Sequence, residues 1–434
     1  MQTETSGSPQ KTSVFKSFPK NFWTVITMEF FERGSYYGVM SVLSVYLVLS
    51  KNEGGLGFSK ESVGFLKSFI TPLLYFLPIL SGAIAERFGY KKTLYFAFII
   101  MSCGYFLTGT FTSYPLVFCS LIITVIGAGF FKPIISGTIA RSTNVQNSGL
   151  GFGIFYWTIN LGAFLFPLIL IPFLKNISWS LIFVMAGIGT GWLLLLNTFV
   201  YEEPEKPAST KSILKVLSDA VLVLKDFRFI IMIVIYSGFW ILYFQMFDSV
   251  LWFLKEHIDM LPVNAAVNSF LSIFVNNPNW KFDAEHVTVI NAGTIILLQI
   301  WISNIVKNKK PLPTMITGIG FGTLGMVILA LSSNAWFFIT GMIVFSVGEM
   351  TAHPKFISYV GLIAPEDKKA LYLGYSFLYG VIGSGIGGVL GAYMYVNIIE
   401  KMHNPPLFWS IFAGIGLLTM AGLYIFNKVV TKKK

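Results

Sequence analysis

Three ionisable residues, Glu29, Glu32 and Arg33, lie inside an apolar stretch that is long enough to cross a lipid bilayer. A charged side chain in hydrocarbon is costly unless it is paired or hydrated. The spacing of i, i+3 and i+4 places all three side chains on one face of a helix. Such a face is stable beside a polar pathway but not beside lipid. The sequence therefore predicts a helix that lines the route of a transported solute.

Charged residues recur inside other apolar stretches, and their signs balance. Four are basic and four are acidic: Arg33, Lys67, Lys132, Lys355, Glu29, Glu32, Asp248 and Glu349. Equal numbers let each ion find a counter-ion, which lowers the cost of burial. Protonation of one acid would then release its partner, as proton-coupled transport requires. The alternative is that some pairs are purely structural or reach toward a helix end, which applies most to Lys67 and Lys355.

His353 follows Glu349 by one helical turn and directly precedes Pro354. Because histidine titrates near neutral pH, a contact between the two side chains could relay a proton. A single hydrogen bond that holds a kinked helix explains the same spacing equally well.

The composition is that of a membrane protein. Of the 434 residues, 54% are hydrophobic and only 12% are charged, whereas soluble domains carry roughly 25% charged residues. A membrane-spanning helix needs about 20 apolar residues. The sequence predicts an all-α polytopic protein with twelve such helices, at about 22–50, 60–84, 91–111, 115–140, 149–174, 178–201, 227–255, 285–307, 312–332, 335–363, 369–398 and 406–428.

The longest charged connection falls between the sixth and seventh predicted helices. Two tails, two halves of six helices each, and a linker between the halves are therefore predicted, in the order 1–21, 22–201, 202–226, 227–428 and 429–434. The linker and both tails are predicted to be cytoplasmic. The other long connection, 256–284, is predicted to be extracytoplasmic, with a weakly amphipathic surface helix near 265–275.

Lysine and arginine concentrate in the loops on one side of the predicted helices, which is also the side of both termini. The positive-inside rule assigns that side to the cytoplasm. This distribution explains the net charge of +11 without nucleic-acid binding. The distribution predicts an integral protein of the plasma (inner) membrane with cytoplasmic termini. The expected partners are a small-molecule or peptide solute, protons and lipid. The protein is expected to function as a monomer.

Signals for other classes of function are weak. Residues 1–20 lack the apolar core of a signal peptide, and Cys103 and Cys119 fit as small packing residues. The glycine run 383–388 lies in an apolar helix with no strand before it, which favours close helix packing over a dinucleotide site. The sequence contains no phosphate-binding loop, metal cluster or nucleophile–base arrangement. Neither an enzyme nor a cofactor is predicted, and the expected energy source is a proton gradient.

The connection between the second and third helices carries a family resemblance. The stretch Gly82-Ala-Ile-Ala-Glu-Arg-Phe-Gly-Tyr-Lys-Lys92 resembles the signature loop of the major facilitator superfamily, with Glu86 where aspartate is usual. The resemblance implies two six-helix bundles around a midplane cavity. It also implies that five residues of this loop gate the cytoplasmic side: Gly82, Glu86, Arg87, Gly89 and Lys91.

A narrower resemblance lies in the first helix. Glu29-Phe-Phe-Glu-Arg-Gly-Ser-Tyr-Tyr-Gly38 is similar to the helix-one motif of the proton-dependent oligopeptide transporter family, from which only Gly34 departs. Stretches in helices four, five, seven, eight and ten are also similar to motifs of that family: Gly129–Pro133, Phe155–Gly162, Phe239-Trp240 with Gln245, Asn291, Gly348–Met350, Pro354 and Ala364-Pro365.

This narrower resemblance implies specific roles. Glu29, Glu32, Arg33 and Lys132 would couple transport to protons, with Lys132 pairing with the helix-one acids and letting go when they protonate. The substrate cavity would be lined by Tyr37, Asn160, Asn291 and Glu349, and Glu349 would meet a substrate amino group.

The expected substrate-binding positions depart from the family pattern. Met40 stands where a basic residue would bind a peptide carboxylate, Phe244 replaces an acid of helix seven, and Ser376 replaces a tryptophan of helix eleven. Asp248 lies one turn beyond Phe244 and could replace the lost acid. The further candidates for substrate binding are Lys67, Asp248, His353 and Lys355.

Two transport functions fit these observations. The leading prediction is a symporter that carries protons with di- or tripeptides, or peptide-like solutes, into the cytoplasm by alternating access. The alternative is proton-coupled symport or export of a non-peptide amphiphilic or anionic solute, which Met40 and Phe244 favour. A receptor or assembly subunit without transport would leave the buried charges unexplained.

Overall fold

The structure is a computed structural model that describes residues 17–144, 146–204, 218, 222–365 and 368–432. Within these ranges the chain forms helices, turns and one isolated bridge between Asp259 and Asn334. Eleven helices are long and apolar enough to cross a membrane. A further helix, Lys20–Met40, carries the charged cluster of the first motif.

The twelve long helices are labelled α1 to α12 in chain order. They are α1 Lys20–Met40, α2 Lys60–Phe88, α3 Tyr90–Thr110, α4 Tyr114–Arg141, α5 Ser148–Ile177, α6 Trp179–Phe199, α7 Phe227–Phe247, α8 Glu285–Val306, α9 Pro311–Leu331, α10 Ala335–Ile363, α11 Leu371–Lys401 and α12 Pro405–Lys432. Shorter helices lie at Leu43–Val48, Lys51–Glu53, Ser249–His257 and Leu261–Leu271. The predicted all-α, twelve-helix pattern is confirmed.

Two local details differ from the prediction. The first helix, expected to reach residue 50, ends at Met40, because Val42 adopts φ −131 and ψ −10 and so leaves the helical conformation. The surface helix expected near 265–275 begins earlier, at Leu261, where Pro262 occupies the first turn and fits without a donor.

Helix packing repeats between the two halves of the chain. α1 packs against α5 and α6, while α4 packs against α2 and α3; in the same way α7 packs against α11 and α12, and α10 against α8 and α9. Two six-helix bundles result, and they meet through α2 with α11 and through α5 with α8. The predicted linker lies mostly at 205–217 and 219–221, and residues 1–16 and 433–434 belong to the predicted tails; all of these lie outside the described residues, so the segment boundaries stay predictions.

Small residues let α2 and α11 touch. A Cβ on Gly64 would lie 2.4 Å from Ala392 Cβ, and one on Gly388 would lie 2.5 Å from Ser68 Oγ. Larger side chains at these positions would push the two bundles apart. The glycine run 383–388 therefore serves close helix packing, as the sequence predicts.

The end of the bundles opposite the termini, here called the far end, is joined by ion pairs between bundles. Lys60 at the start of α2 contacts Glu256, with 2.6 Å between Nζ and Oε1, and also contacts Glu400. This lysine links the N-terminal bundle to two helices of the C-terminal bundle. If the termini are cytoplasmic, as the sequence predicts, these contacts close the extracytoplasmic side.

A second far-end cluster joins α5 to α8. Lys175 Nζ lies 2.7 Å from Glu285 Oε1 and 2.8 Å from Asp283 Oδ2, and Lys255 also contacts Asp283 at 3.1 Å. Burial opposes ionisation of Asp283, but the two lysines outweigh burial and hold the pKa of this carboxyl below its usual range. Ion pairs thus connect the two bundles at the far end of both interfaces, α2 with α11 and α5 with α8.

Candidate functional site

α1 and α7 both break where the two bundles face each other. α1 ends at Met40 and the chain resumes as a helix at Leu43, while α7 ends at Phe247 and resumes at Ser249. Asp248 occupies the second break, and the Ser44 hydroxyl donates to its carboxylate. Irregular backbone at membrane depth is stable when it is buried in protein or lines a cavity.

A polar cavity lies beside these breaks. Its lining comes from both bundles: Arg33, Tyr36, Tyr37, Met40, Lys67, Thr71, Leu74, Tyr75, Pro78, Lys132, Tyr243, Phe244, Phe247, Asp248, Phe377 and Ser384. Its volume is about 60 Å³, whereas pockets for small ligands typically hold roughly 300–1,000 Å³. Admission of a peptide-sized solute would require the bundles to move apart.

The helix-one charges form one buried cluster, as their spacing suggests. Arg33 binds Glu32 through two hydrogen bonds, Nε to Oε2 at 2.5 Å and Nη2 to Oε1 at 2.7 Å. Glu29 Oε1 lies 3.7 Å from the same Nε. Arg33 faces the cavity and both acids lie behind it, so a change in either carboxylate alters a cation that a solute would meet.

Lys132 of α4 faces the same cavity without a carboxylate partner. Among the ion pairs of the described residues, none includes Lys132; its ammonium lies 4.8 Å from the ring centre of Phe377 and 5.6 Å from that of Tyr75. Aromatic faces attract a cation through their quadrupole. The pairing with helix-one acids that the resemblance implies is thus absent from this structure, and a lysine is available to an anionic group.

Lys67 and Asp248 form a buried ion pair between α2 and the break after α7. Nζ lies 3.2 Å from Oδ1, and the two side chains are only 4% and 7% exposed. The pair lacks hydrogen-bond geometry, so the buried Lys67 ammonium has unused donors. Both residues line the cavity together with Phe244, which places Asp248 on the face expected for the lost helix-seven acid.

Glu349 and Asn291 come together between α10 and α8. Asn291 Nδ2 donates to Glu349 Oε2 at 2.8 Å and to Ser346 Oγ at 3.0 Å. The proposed Glu349–His353 contact is not formed, because His353 faces α7, where its Nδ1 lies 3.4 Å from the Tyr236 hydroxyl. Glu349, Asn291 and His353 are not among the residues that line the 60 Å³ cavity.

Two other candidates lie away from this cavity. The Asn160 amide donates to the Tyr156 carbonyl of its own helix at 2.9 Å. Lys355 donates to the carbonyls of Lys307 and Lys309, at 3.2 and 2.9 Å, and so caps the end of α8. Six residues separate Lys355 from Glu349, which on a helix of about 3.6 residues per turn places them on different faces.

The departures from the family motifs have visible structural consequences. At Gly34 a Cβ would lie 2.4 Å from Phe166 Cδ2, so the Phe166 ring of α5 fills the space that a side chain at position 34 would need. Ser376 is buried, and its hydroxyl donates to the Leu373 carbonyl at 2.7 Å. The following residue, Phe377, faces the cavity instead.

The aromatic part of the cavity could not be recognised in the sequence. The residues concerned are Tyr36, Tyr75, Tyr243, Phe247 and Phe377. With 16% aromatic residues spread over all helices, nothing in the pattern separates a cavity-lining ring from a core ring. The one usable signal is position: Phe377 and Phe247 directly adjoin Ser376 and Asp248, which the sequence singles out.

The connection between α2 and α3 has a defined geometry. Gly89 adopts φ +102, which favours glycine, and so joins the two helices directly. The Glu203 carboxylate accepts from the backbone N–H groups of Tyr90 and Lys91, both at 2.7 Å. This acid stabilises the N-terminus of α3. It was missed because it falls in the predicted linker.

The other residues of this loop lie nearby. Lys91 Nζ donates to the carbonyls of Thr198 and Tyr201 at 3.1 and 2.9 Å, which ties α3 to the end of α6. Gly82 faces Pro133 of α4. Glu86 and Arg87 lie in the last turn of α2, where Arg87 is exposed. A gating role for these five residues stays a prediction.

Comparisons with known proteins agree with this architecture. The family model described as Major Facilitator Superfamily matches residues 23–388. The chain is 24% identical over 468 residues to dipeptide and tripeptide permease B of Photorhabdus luminescens, covering 92% of this chain and 93% of that protein. It is 32% identical over 196 residues to the uncharacterized transporter YclF of Bacillus subtilis (strain 168), covering 44% of this chain and 39% of that protein.

A solved structure shows the same fold. A POT family transporter in complex with 5-aminolevulinic acid superposes with a TM-score of 0.75 at 20% identity, covering 96% of this chain and all of that one. The predicted fold and the resemblance to oligopeptide transporters are confirmed.

The buried Lys67–Asp248 pair generates a stability prediction. Lys67→Met or Asp248→Asn leaves one charge buried without its partner, and we expect each to lower the free energy of unfolding by about 3 kcal/mol. The double substitution Lys67→Met/Asp248→Asn removes both charges and should recover most of that loss. Thermal melting in detergent measures the effect, with Lys281→Met, at an exposed lysine, as control. Single variants with the same melting temperature as the wild type would contradict the pairing of Lys67 with Asp248.

Proposed function

The chain belongs to the major facilitator superfamily and is an integral membrane protein, and from that premise we propose that it is a proton-coupled transporter that carries di- or tripeptides, or peptide-like solutes, into the cytoplasm. The observation that supports this most is the polar cavity between the bundles, which Arg33, Lys67 and Lys132 face. Near-full-length similarity to proteins named dipeptide and tripeptide permeases supports the substrate class.

Proton coupling would use the cluster on α1. With Glu29 and Glu32 ionised, both acids hold Arg33. Protonation of either weakens that hold, so that Arg33 becomes available to a negative group of the solute, beside Lys132, which has no carboxylate partner in this state. Each proton that crosses 100 mV contributes about 2.3 kcal/mol, in addition to the pH gradient.

The two ends of a peptide would bind opposite bundles. The carboxylate would meet cations of the N-terminal bundle: Lys132, Arg33 and Lys67. Lys67 has unused donors and lines the cavity together with Met40, so it could supply the positive charge that position 40 lacks. The amino group would meet Glu349 on α10, with Asn291 as its neighbour and Tyr37 across the cavity. Contact with Glu349 requires a wider cavity than this state has.

Inward transport would pass through the state that this structure has. Both far-end clusters join the bundles in this state, Lys60 with Glu256 on one side and Lys175 with Glu285 on the other. With cytoplasmic termini, this is the state closed to the outside. Alternating access would break these pairs to load the solute and re-form them before release into the cytoplasm.

A second candidate function is favoured by the aromatic lining. Phe244, Phe247 and Phe377 line the cavity together with three cations, which also suits a bulky organic anion without an amino group. We infer the same proton coupling in that case, with a different solute.

A competition panel separates the two candidates. Uptake of labelled di-alanine into proteoliposomes, driven by an inward proton gradient, should be inhibited by unlabelled di- and tripeptides and not by free alanine. A naphthalene sulfonate should compete weakly, because it has no amino group for Glu349. Absence of di-alanine uptake, with the sulfonate taken up instead, would refute the peptide assignment and support the second candidate.

The coupling role of Lys132 predicts a split between two kinds of transport. Lys132→Ala should abolish gradient-driven uptake while exchange of internal for external solute is less affected, because exchange needs no net proton movement and Arg33 and Lys67 still face the cavity. Both rates are measured in the same proteoliposomes, with the exposed Lys281→Ala as the matched control. Equal loss of uptake and exchange in Lys132→Ala would argue against coupling.

A further inference from the structure

The far end carries an unusual segment, residues 260–280, that contains no charged side chain. It includes the helix Leu261–Leu271 and the turn that follows it. Loops in water carry many charged residues, as soluble proteins generally do at roughly 25%. A stretch of this length without one indicates an environment other than bulk water.

Two polar side chains of the helix face the protein and not water. Asn264 Oδ1 accepts from the Phe282 N–H at 2.8 Å. Asn268 accepts from the Trp280 N–H at 2.9 Å and donates to the Trp280 carbonyl at 2.8 Å. These two amide side chains thus hold the helix against the residues that lead into α8.

Apolar side chains point outward instead. Phe270, Ile273, Phe274 and Val275 are 61, 72, 71 and 57% exposed, and the rings of Phe270 and Phe274 lie 5.6 Å apart edge to face. Together these four residues form one exposed apolar patch, here called the far-end patch. Exposed patches of contiguous apolar residues mark binding surfaces for protein or membrane.

The patch lies at the level of the ends of the membrane helices. Asp259 forms a bridge with Asn334, which directly precedes α10, and Trp280 lies just before α8. The first turn of α10 exposes Trp336 and Phe337. Aromatic side chains concentrate where the bilayer meets water. The helix Leu261–Leu271 also contacts α10, so the patch lies near the far end of that membrane helix.

We propose that residues 260–275 lie in the headgroup region of the leaflet at the far end, with the far-end patch in contact with the acyl chains. The proposed occupant is phospholipid, because the patch lies near the first turn of α10, where Trp336 and Phe337 are exposed. Apolar side chains of a segment in the interface plane reach the boundary between headgroups and acyl chains. This segment would hold the far ends of α8 and α10 at a fixed depth while the two bundles move.

Site-directed spin labelling tests this placement in vesicles of phosphatidylethanolamine and phosphatidylglycerol. Cys103→Ser and Cys119→Ser supply the background. A nitroxide at Phe274→Cys is compared with one at Lys281→Cys, an exposed charged position of the same loop. The ratio of collisions with oxygen, which partitions into lipid, to collisions with a water-soluble nickel chelate should be several-fold higher at 274 than at 281.

Equal ratios at the two positions would place the patch in water and overturn the proposal. Exclusion of both oxygen and nickel at 274, with dipolar broadening between labels, would show a second copy of the chain on the patch and would overturn it as well. If Phe274→Cys is not monodisperse, Ile273→Cys serves as the probe, because it is equally exposed. The proposal does not depend on the identity of the transported solute.

Discussion

Charged groups inside a bilayer are costly unless they are paired or hydrated, and the architecture of this chain follows from which of its buried charges are paired and where the partners lie. Glu29 and Glu32 are held by Arg33 within one helix. Lys67 instead finds its partner, Asp248, in the other bundle. The first arrangement leaves each bundle stable by itself. The second ties the two bundles together beside the cavity, so neutralisation of a buried charge and closure of the pathway depend on the same contact.

The contacts between bundles are of two kinds, close packing and ion pairs. Gly64 and Gly388 let α2 and α11 approach until there is no space for a side chain, and Gly64 lies one helical turn from Lys60. The ion pairs of Lys60 and Lys175 lie toward the far end, where water can replace a lost partner at moderate cost. Packing and charge therefore act together to close the far end.

The sequence alone predicted the helices, the interior charges and the shared face of the helix-one cluster, because burial of charge and helical periodicity are local rules. It could not locate the break after Met40 or the cavity rings of Tyr75 and Phe377, since those depend on which helices meet. Lys355 shows the same limit: its apolar context resembles that of Lys67, yet it caps a neighbouring helix. The contact of Glu203 with the start of α3 could not be predicted, because a charged residue near a helix end also fits a solvated linker.

The central claim, that solute movement is tied to proton movement through the helix-one acids, is tested most directly in proteoliposomes loaded with a pH-sensitive dye under a negative-inside potential. Addition of di-alanine outside should acidify the lumen with the wild-type protein. The variant Glu29→Gln/Glu32→Gln, which keeps the shape of the cluster without its titratable groups, should bind di-alanine without acidification. Di-alanine uptake by the wild type with no change in lumenal pH, or equal acidification by the variant, would contradict the account.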